Sequence, residues 1–338
     1  MKAAQQPSAI SYQPSAKHER RKEEGGRRNI FFAFILFTLY SSLFTAFAQD
    51  TQLTLPDALA TSNNRSAVVT AQLAFNDATV ALSRTQADPL ALRLEQTQAS
   101  QKVTLSQAQL DEAKYKAIQD ITAGYTQLLE AQAALNLSAF ARDLSQQNLQ
   151  ITTIRRDKGS ATDLEVQEAQ NALEDAENNL ASSEQGVALA KTNLEGLVAM
   201  PVLTLAPIPD EALVPLPALE TVLVNLDKLP ALLQVNQGIE LAQLGVDLLD
   251  PSYASKSQID TAQLETAQTS SSEVRRGLEL QARTFYNQAS TASETLNIRQ
   301  AALQNALERE GLEKQRLDAG LIADIGYKQT QLATKQAE

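Results

Sequence analysis

Apolar positions return every seventh residue over a long middle stretch of the chain. Val166, Leu173, Leu180, Val187 and Leu194 fall at strict sevens, and Ala169, Ala176, Ser183, Ala190 and Leu197 follow each by three. That spacing predicts a helical seam of five heptads, large side chains on one line and mostly small ones on the other. An earlier stretch repeats the pattern, with Ala117, Gly124 and Ala131 on one line and Ile121, Leu128 and Leu135 four residues on. A shift of 161 residues carries this second seam onto Leu278, Phe285, Ala292 and Ala282, Ala289, Leu296. A strict period of seven requires helices to wind around one another, and small residues let their axes come close.

The same shift repeats a short charged turn. "RRDKGSATDLEVQEAQNALEDAE" begins at Arg155, and "RLDAGLIADIGYKQTQLATKQAE" ends the chain. Arg155 meets Arg316, Asp157 meets Asp318, Gly159 meets Gly320, and Gln170, Ala172, Ala176 and Glu177 recur as Gln331, Ala333, Ala337 and Glu338. Gly159 and Gly320 can adopt the left-handed conformation that stops a helix, and Asp163 and Asp324 are the expected caps of the helices that follow. The predicted fold class is therefore all-α: duplicated long antiparallel helical hairpins, with tips near 155–163 and 316–324 and little or no β-structure. A helix from about Thr104 to Asp157 would run roughly 80 Å at the α-helical rise. A hairpin of that length cannot form a compact bundle alone, so it needs neighbours.

Proline punctuates the halves. None occurs between Pro89 and Pro201 or after Pro251, whereas six fall from Pro201 to Pro230. Proline-free tracts rich in Ala, Leu, Gln and Glu suit helices, and the cluster suits an extended linker. The expected organisation is a first helical repeat over 49–200, a Pro-rich linker over 201–219 and a second repeat over 220–338. The second copy stops where the first runs some 23 residues further, so its final helix reads as truncated. Ahead of all this, Arg27-Arg28 precede the apolar run "IFFAFILFTLYSSLFTAFA", which ends in Ala46-Phe47-Ala48. That is the order of a secretory signal, 1–48, cut after Ala48. An uncleaved membrane anchor is the rival reading of the run, and the many polar residues before Arg27 suit a later translation start.

Removing the leader sharpens the chemistry. Of 29 Lys/Arg and 40 Asp/Glu, seven and three lie in the first 48 residues; the remaining 22 and 37 give a formal charge of −15. So acidic a chain is a poor partner for nucleic acid. The single histidine, His18, leaves with the leader, and the chain has no cysteine and no tryptophan. Residues 49–338 therefore exclude disulfides, Cys/His zinc sites and Ser-His or Cys-His nucleophile pairs. Carboxylates are plentiful but fall on helix faces where solvation accounts for them, and no phosphate loop or acidic metal cluster is present. The expectation is a non-enzyme without a cofactor.

Taken in order, these features resemble the TolC family of outer-membrane efflux proteins. "LTLPDALATSNNRSAVVTAQLAFNDATVALSRTQADP" is similar to the family's opening phrase before its first helix, with Arg65 where a proline is usual. "LPALLQVNQGIELAQLGVDLLDP", from Leu229, is similar to the start of the second half and keeps Pro230. The tip phrase is matched by Gly159, Glu165 and Val166; in the second copy Gly320 matches but Gly326 replaces the acid. The resemblance covers nearly all of 49–338. It implies a homotrimer whose hairpins close into a hollow helical barrel in the periplasm, associated with the outer membrane. It also implies tips that meet a periplasmic adaptor, itself linked to an inner-membrane transporter. The tip candidates for docking and gating are Arg155, Asp157, Gly159, Asp163, Glu165, Arg316, Asp318, Gly320 and Asp324. The family also inserts a pair of membrane strands within each half. Such strands need about 9–11 alternating residues, and here only "LALRLE" and "KVTL" follow Pro89 and a polar stretch follows Pro251. The helix is expected to resume after Asp88-Pro89 and Asp250-Pro251 instead. A periplasmic helical scaffold that has lost the membrane pore is the alternative function.

Overall fold

The computed structural model describes residues 52–209, 214–248 and 254–338, with side chains from 261 onward in the last of these. The leader, part of the Pro-rich linker and Asp250-Pro251 lie outside the described residues. Among the described residues eight α-helices follow one another: α1 (Leu55–Ala60), α2 (Ser66–Ala87), α3 (Arg93–Asp157), α4 (Asp163–Val198), α5 (Leu219–Val224), α6 (Pro230–Asp247), α7 (Ala254–Asp318) and α8 (Asp324–Ala337). Short 3₁₀ turns, Thr61–Asn64 and Asn225–Lys228, join α1 to α2 and α5 to α6. Among the described residues there is no β-strand, only an isolated parallel bridge between Leu53 and Leu205. No described helix is long and apolar enough to cross a membrane.

The element order is the same twice. α3 and α7 are each 65 residues long and correspond residue for residue at a shift of 161, as do the starts of α4 and α8. The elements before them, α1 to the start of α2, correspond to α5 and the start of α6 at a shift of 164. The three-residue difference lies between the starts of α2 and α3, where α2 has 22 residues and α6 has 18. Both long helices span about 98 Å at 1.5 Å per residue.

α3 begins at Arg93, eleven residues before the expected start. The three alternating leucines of "LALRLE" do not make a strand, because Glu95 reaches back to accept the Leu92 N–H at 3.1 Å and closes a first helical turn. The joint from α2 to α3 is only Asp88–Leu92, with Asp88 accepting from the Leu90 N–H at 2.9 Å. Five residues cannot hold a pair of membrane strands, and the helix resumes there as expected.

α3 and α4 pack antiparallel along the predicted seams. Every seam residue of α4, from Val166 to Leu197, is buried or half-buried, and nearly all others on α4 are exposed. Ser138 and Ser183 meet across the seam at 2.8 Å, and Asn193 approaches Gln127 at 3.4 Å. At Gly124 the packing is tight: a Cβ there would stand 2.6 Å from Leu197 Cδ1 and 3.6 Å from Leu194 Cδ1. A larger residue at this position would have to move the Leu197 side chain.

The main core gathers above that contact. Ala58, Ile121, Tyr125, Leu128, Ala190, Leu194, Val198, Val202 and Leu205 form one buried cluster. It is closed by the chain after α4, where Leu53 N–H donates to Thr204 O and Ala206 N–H to Leu53 O, at 2.9 and 3.0 Å. The Tyr125 hydroxyl lies 2.6 Å from Ala206 O and 2.8 Å from Leu53 O, so it pins the crossing of the two segments. Burial pushes the pKa of this phenol up. Arg65, the residue found in place of the usual proline, donates to Gly196 O and Leu197 O at 3.4 and 3.3 Å. Its charge thus serves the C-terminal carbonyls of α4, where the helix dipole favours a cation.

The second copy packs differently. α6 lies on α7 and also on α3, where Gln101 and Gln237 exchange side chain-to-backbone hydrogen bonds at 2.9 and 3.3 Å and Gln101 donates to Glu240 at 2.7 Å. Arg275 of α7 pairs with Asp227 in the 3₁₀ turn. α8 covers the tip-side part of α7, and beyond it Phe285 and the α7 residues around it stand open, Phe285 at 58% exposure.

Candidate functional site

Both hairpin tips are built on the same backbone device. Gly159 and Gly320 have φ of 73° and 71°. Gly159 N–H donates to Arg156 O and Ser160 N–H to Arg155 O, both at 2.8 Å; Gly320 N–H donates to Leu317 O and Leu321 N–H to Arg316 O, also at 2.8 Å. This paired pattern closes a helix C-terminus around a left-handed residue, and only glycine adopts it without strain.

The side chains then diverge. In the first tip Arg155 donates to Ser160 O at 3.3 Å, and the Ser160 hydroxyl returns a bond to Arg155 O at 3.0 Å. The carboxylates are held by the next residue: Arg156 donates to Asp157 at 2.7 and 3.1 Å and stands 3.7 Å from Asp163. Asp163 is not the cap expected of it. Thr162 caps α4, its hydroxyl accepting the Glu165 N–H at 3.2 Å while Glu165 accepts the Thr162 N–H at 2.6 Å. Asp163 is the first helical residue instead, where a negative charge meets the positive helix end. Hydrogen bonds from the Thr162 backbone and hydroxyl hold the Glu165 carboxyl below the usual carboxylate range, with Arg155 adding to the effect.

In the second tip Ala323 occupies the cap position and makes no side-chain cap, so Asp324 does not cap α8 either. Asp324 begins the helix and pairs with Lys328 at 2.9 Å, and Arg316 turns back to Glu313 at 2.8 Å. The repeated arginines Arg155 and Arg316 therefore do the local work of their own helix ends in this chain. Asp318, the counterpart of Asp157, faces Leu317 in place of an arginine as its neighbour in sequence and lies close enough to raise the pKa of Tyr327, behind burial and the Glu310 contact.

The two tips sit at one end. Lys328 of α8 donates to Gln147 of α3 at 3.0 Å, and Lys335 lies over the Phe140 ring at 5.8 Å. Moving along α8 away from its tip is thus moving along α3 away from the other tip. Gln147 is ten residues before Asp157 and Lys328 four after Asp324, so the first tip projects further by about 9 Å at the helical rise.

Arg156, Thr162, Arg65 and Tyr125 carry tip and core geometry that the sequence reading passed over. The T-D-L-E order at 162–165 is a capping-box signature and was legible. The contacts of Arg65 and Tyr125 join residues more than 70 positions apart and leave no local signal.

No protein-family model matches the chain, and no curated protein matches it by sequence. Solved structures do match. CusC, described for conformational changes accompanying folding and transmembrane channel formation, superposes with a TM-score of 0.58 at 12% identity, covering 86% of this chain and 90% of its own. The Campylobacter jejuni outer-membrane channel CmeC gives 0.56 at 11% identity, over 84% of this chain and 81% of its own. The outer-membrane protein VceC of Vibrio cholerae gives 0.55 at 14% identity, over 84% and 91%. At such identities the likeness is one of fold, and the fold is that of the TolC-type outer-membrane channels.

Proposed function

We propose that the chain is a component of a TolC-like export duct. Three copies set their hairpins side by side as a hollow helical barrel, and the tips dock a periplasmic adaptor linked to an inner-membrane pump. The observation that carries this reading is the duplicated hairpin with both tips at one end, on a fold shared with channel proteins. Exposed apolar side chains along the long helices, among them Leu280, Ile298, Leu307 and Leu312, support association with neighbours. The place of work in this reading is the periplasm and the outer membrane, and the chemistry is passage, without catalysis.

Adaptor docking falls to Arg155, Asp157, Gly159, Asp163 and Glu165 in the first tip, with Arg316, Asp318, Gly320 and Asp324 in the second. Double substitution Arg155→Ala with Arg316→Ala tests it. Both side chains are exposed, and exposed polar contacts of this kind contribute at most about 1 kcal/mol to stability. Melting should stay nearly unchanged while crosslinking to a co-expressed adaptor and complementation of efflux are lost. Undiminished crosslinking and export would remove the tips from the docking surface.

A second reading, a periplasmic helical scaffold without a pore, is favoured by the five-residue joint Asp88–Leu92, where a membrane-strand pair would have to be inserted. Conductance separates the two. The duct reading requires single-channel steps in a planar bilayer from the trimer; the scaffold reading requires a trimer that gives none.

A further inference from the structure

α3 has helices on two sides. It packs with α2 and α4 of its own copy and with α6 and α8 of the second copy. Leu110, in the cluster with Val68, and Ser138, on Ser183, face the first pair; Gln101 and Phe140 face the second. Nine and two residues separate them, close to half a revolution at about 100° per residue, so the two sets lie on opposite sides of α3. α7, the counterpart of α3, packs with α6 and α8. The helices therefore follow one another as α2 and α4, α3, α6 and α8, α7, and the strip has two unlike edges. On the α2 edge Val69, Leu73 and Val80 are 45%, 58% and 48% exposed, an apolar row on the side away from Val68 and Phe75.

The duplication pairs these edges, because the contact of α6 and α8 with α3 has a counterpart in α2 and α4 with α7. At the shifts of 161 and 164, Gln101 on Gln237 and Glu240 becomes Ala262 on Leu73 and Asn76. Both sides change together. The amides that satisfy each other within the chain are replaced by two apolar residues, both exposed, and the carboxylate by a neutral amide. A mixed pair, glutamine against leucine, would bury an amide without a partner. Toward the tips, Lys328 on Gln147 becomes Gln167 beside Glu308, an amide donor facing a carboxylate. Lys335 over Phe140 becomes Glu174 and Ala301, which keep neither cation nor ring.

We propose that the outer side of α7 binds the outer side of α2 and α4 of a second copy, with Ala262 on Leu73 and Glu308 beside Gln167. The contact is head-to-tail, since unlike edges meet, and repetition of such a contact closes a ring. It rests on the side-by-side assembly proposed above and supplies its register.

The full chain has no cysteine, so introduced thiols report only on each other. Leu73→Cys with Ala262→Cys in one chain should give dimer and trimer bands on oxidation, while either change alone should give none. α3 and α6 stand between the two positions within a chain, so the bands arise between copies. Light scattering of the reduced protein gives the assembly size independently. A trimer without these bands overturns the contact and leaves the assembly standing; a monomer overturns both. Bands from the single variants as strong as from the double would also overturn it. Ala262→Gln should weaken association about tenfold, the scale of one unsatisfied amide. Adding Leu73→Gln and Asn76→Glu, which writes the within-chain set between chains, should restore it, and a loss that this leaves unrepaired would refute the pairing. All three positions are exposed, so the helical circular dichroism of each variant should match the parent.

Discussion

The two halves of the molecule carry one design to different degrees of closure. In the first, α4 seals α3 from tip to core, and the returning chain ties Leu53, Tyr125 and Ala206 together. In the second, α7 has the length of α3 and the same turn, but its seam is sealed only near the tip. The residue types differ as well. Where the first copy has Gly124 under Leu197, the second has Phe285 in the open; where the first tip has the T-x-x-E box, the second has Ala323 and Gly326. A heptad pattern thus specifies which faces are apolar, and two copies of one pattern can differ in the size of the residues they place on it.

The largest effect should come from charging the sealed seam. Leu194 is fully buried against Ile121, Tyr125 and Leu128. Leu194→Asp leaves an unpaired buried carboxylate, which costs on the order of 3–5 kcal/mol, and should shift thermal unfolding sharply downward by circular dichroism. Leu296→Asp, the same change at a half-open seam position of α7, should cost far less. Equal losses at the two positions would mean that the second seam is as closed as the first.

Exchanging the size-mismatched pair comes next. Gly124→Phe must push Leu197 aside in a packed core, and overpacking of this kind costs about 1–3 kcal/mol. Phe285→Gly removes a mostly exposed ring but places glycine inside a helix, a loss of under about 1 kcal/mol by propensity. Urea unfolding of both variants measures the asymmetry, and a Gly124→Phe protein as stable as the parent would break the comparison at its closest contact.

The seams, the glycine turns and the resumption of helix after Asp88-Pro89 were legible because each is local: a period, a left-handed residue, a missing alternation. The true start of α3 was less so, since Glu95 closing on Leu92 is one hydrogen bond in a polar stretch. Asp163 and Asp324 were misread as caps although Thr162 and Glu165 spelled the box one residue earlier. The roles of Arg65 and Arg156 lay outside reach for different reasons. Arg65 acts on a helix end 131 residues away. Arg156 has Leu317 as its counterpart, so a search for repeated residues selects against it.

That box allows a smaller and reversible test. Thr162→Ala removes the cap hydroxyl and should cost about 1 kcal/mol. Ala323→Thr with Gly326→Glu writes T-x-x-E into the second tip, where the Asp324–Lys328 pair leaves the cap position unopposed, and should stabilise α8 by a similar amount, aided by the removal of a helical glycine. Amide hydrogen exchange over 324–337 reads this directly. Unchanged protection would mean that the second turn is held by its contacts with α3 and not by its cap.

The smallest effect concerns acid. The α7–α8 seam holds Glu310, Tyr327 and Thr334 where the first seam holds Leu149, Val166 and Leu173. Glu310 accepts from the Tyr327 hydroxyl and from Gln331, both at 3.2 Å. Burial works to raise the Glu310 pKa, but hydrogen bonds from Thr334, Gln331 and Tyr327, with the charge of Lys335, outweigh it and hold the carboxyl below its ordinary value of 4.5. A carboxyl depressed in the folded state contributes stability that is present above its unfolded pKa and lost as pH falls through the folded one. The second hairpin should therefore loosen on acidification below about pH 4.5, while Glu310→Gln, which keeps a hydrogen-bonding side chain without the titration, should flatten that part of the profile. The first seam has no titrating group among Leu149, Val166 and Leu173, so the difference between parent and variant should appear as faster exchange in 324–337 and leave the Val166–Val198 seam unmoved. Acid loosening of both hairpins to the same extent, unaltered in Glu310→Gln, would trace the effect to general charge and not to this carboxylate.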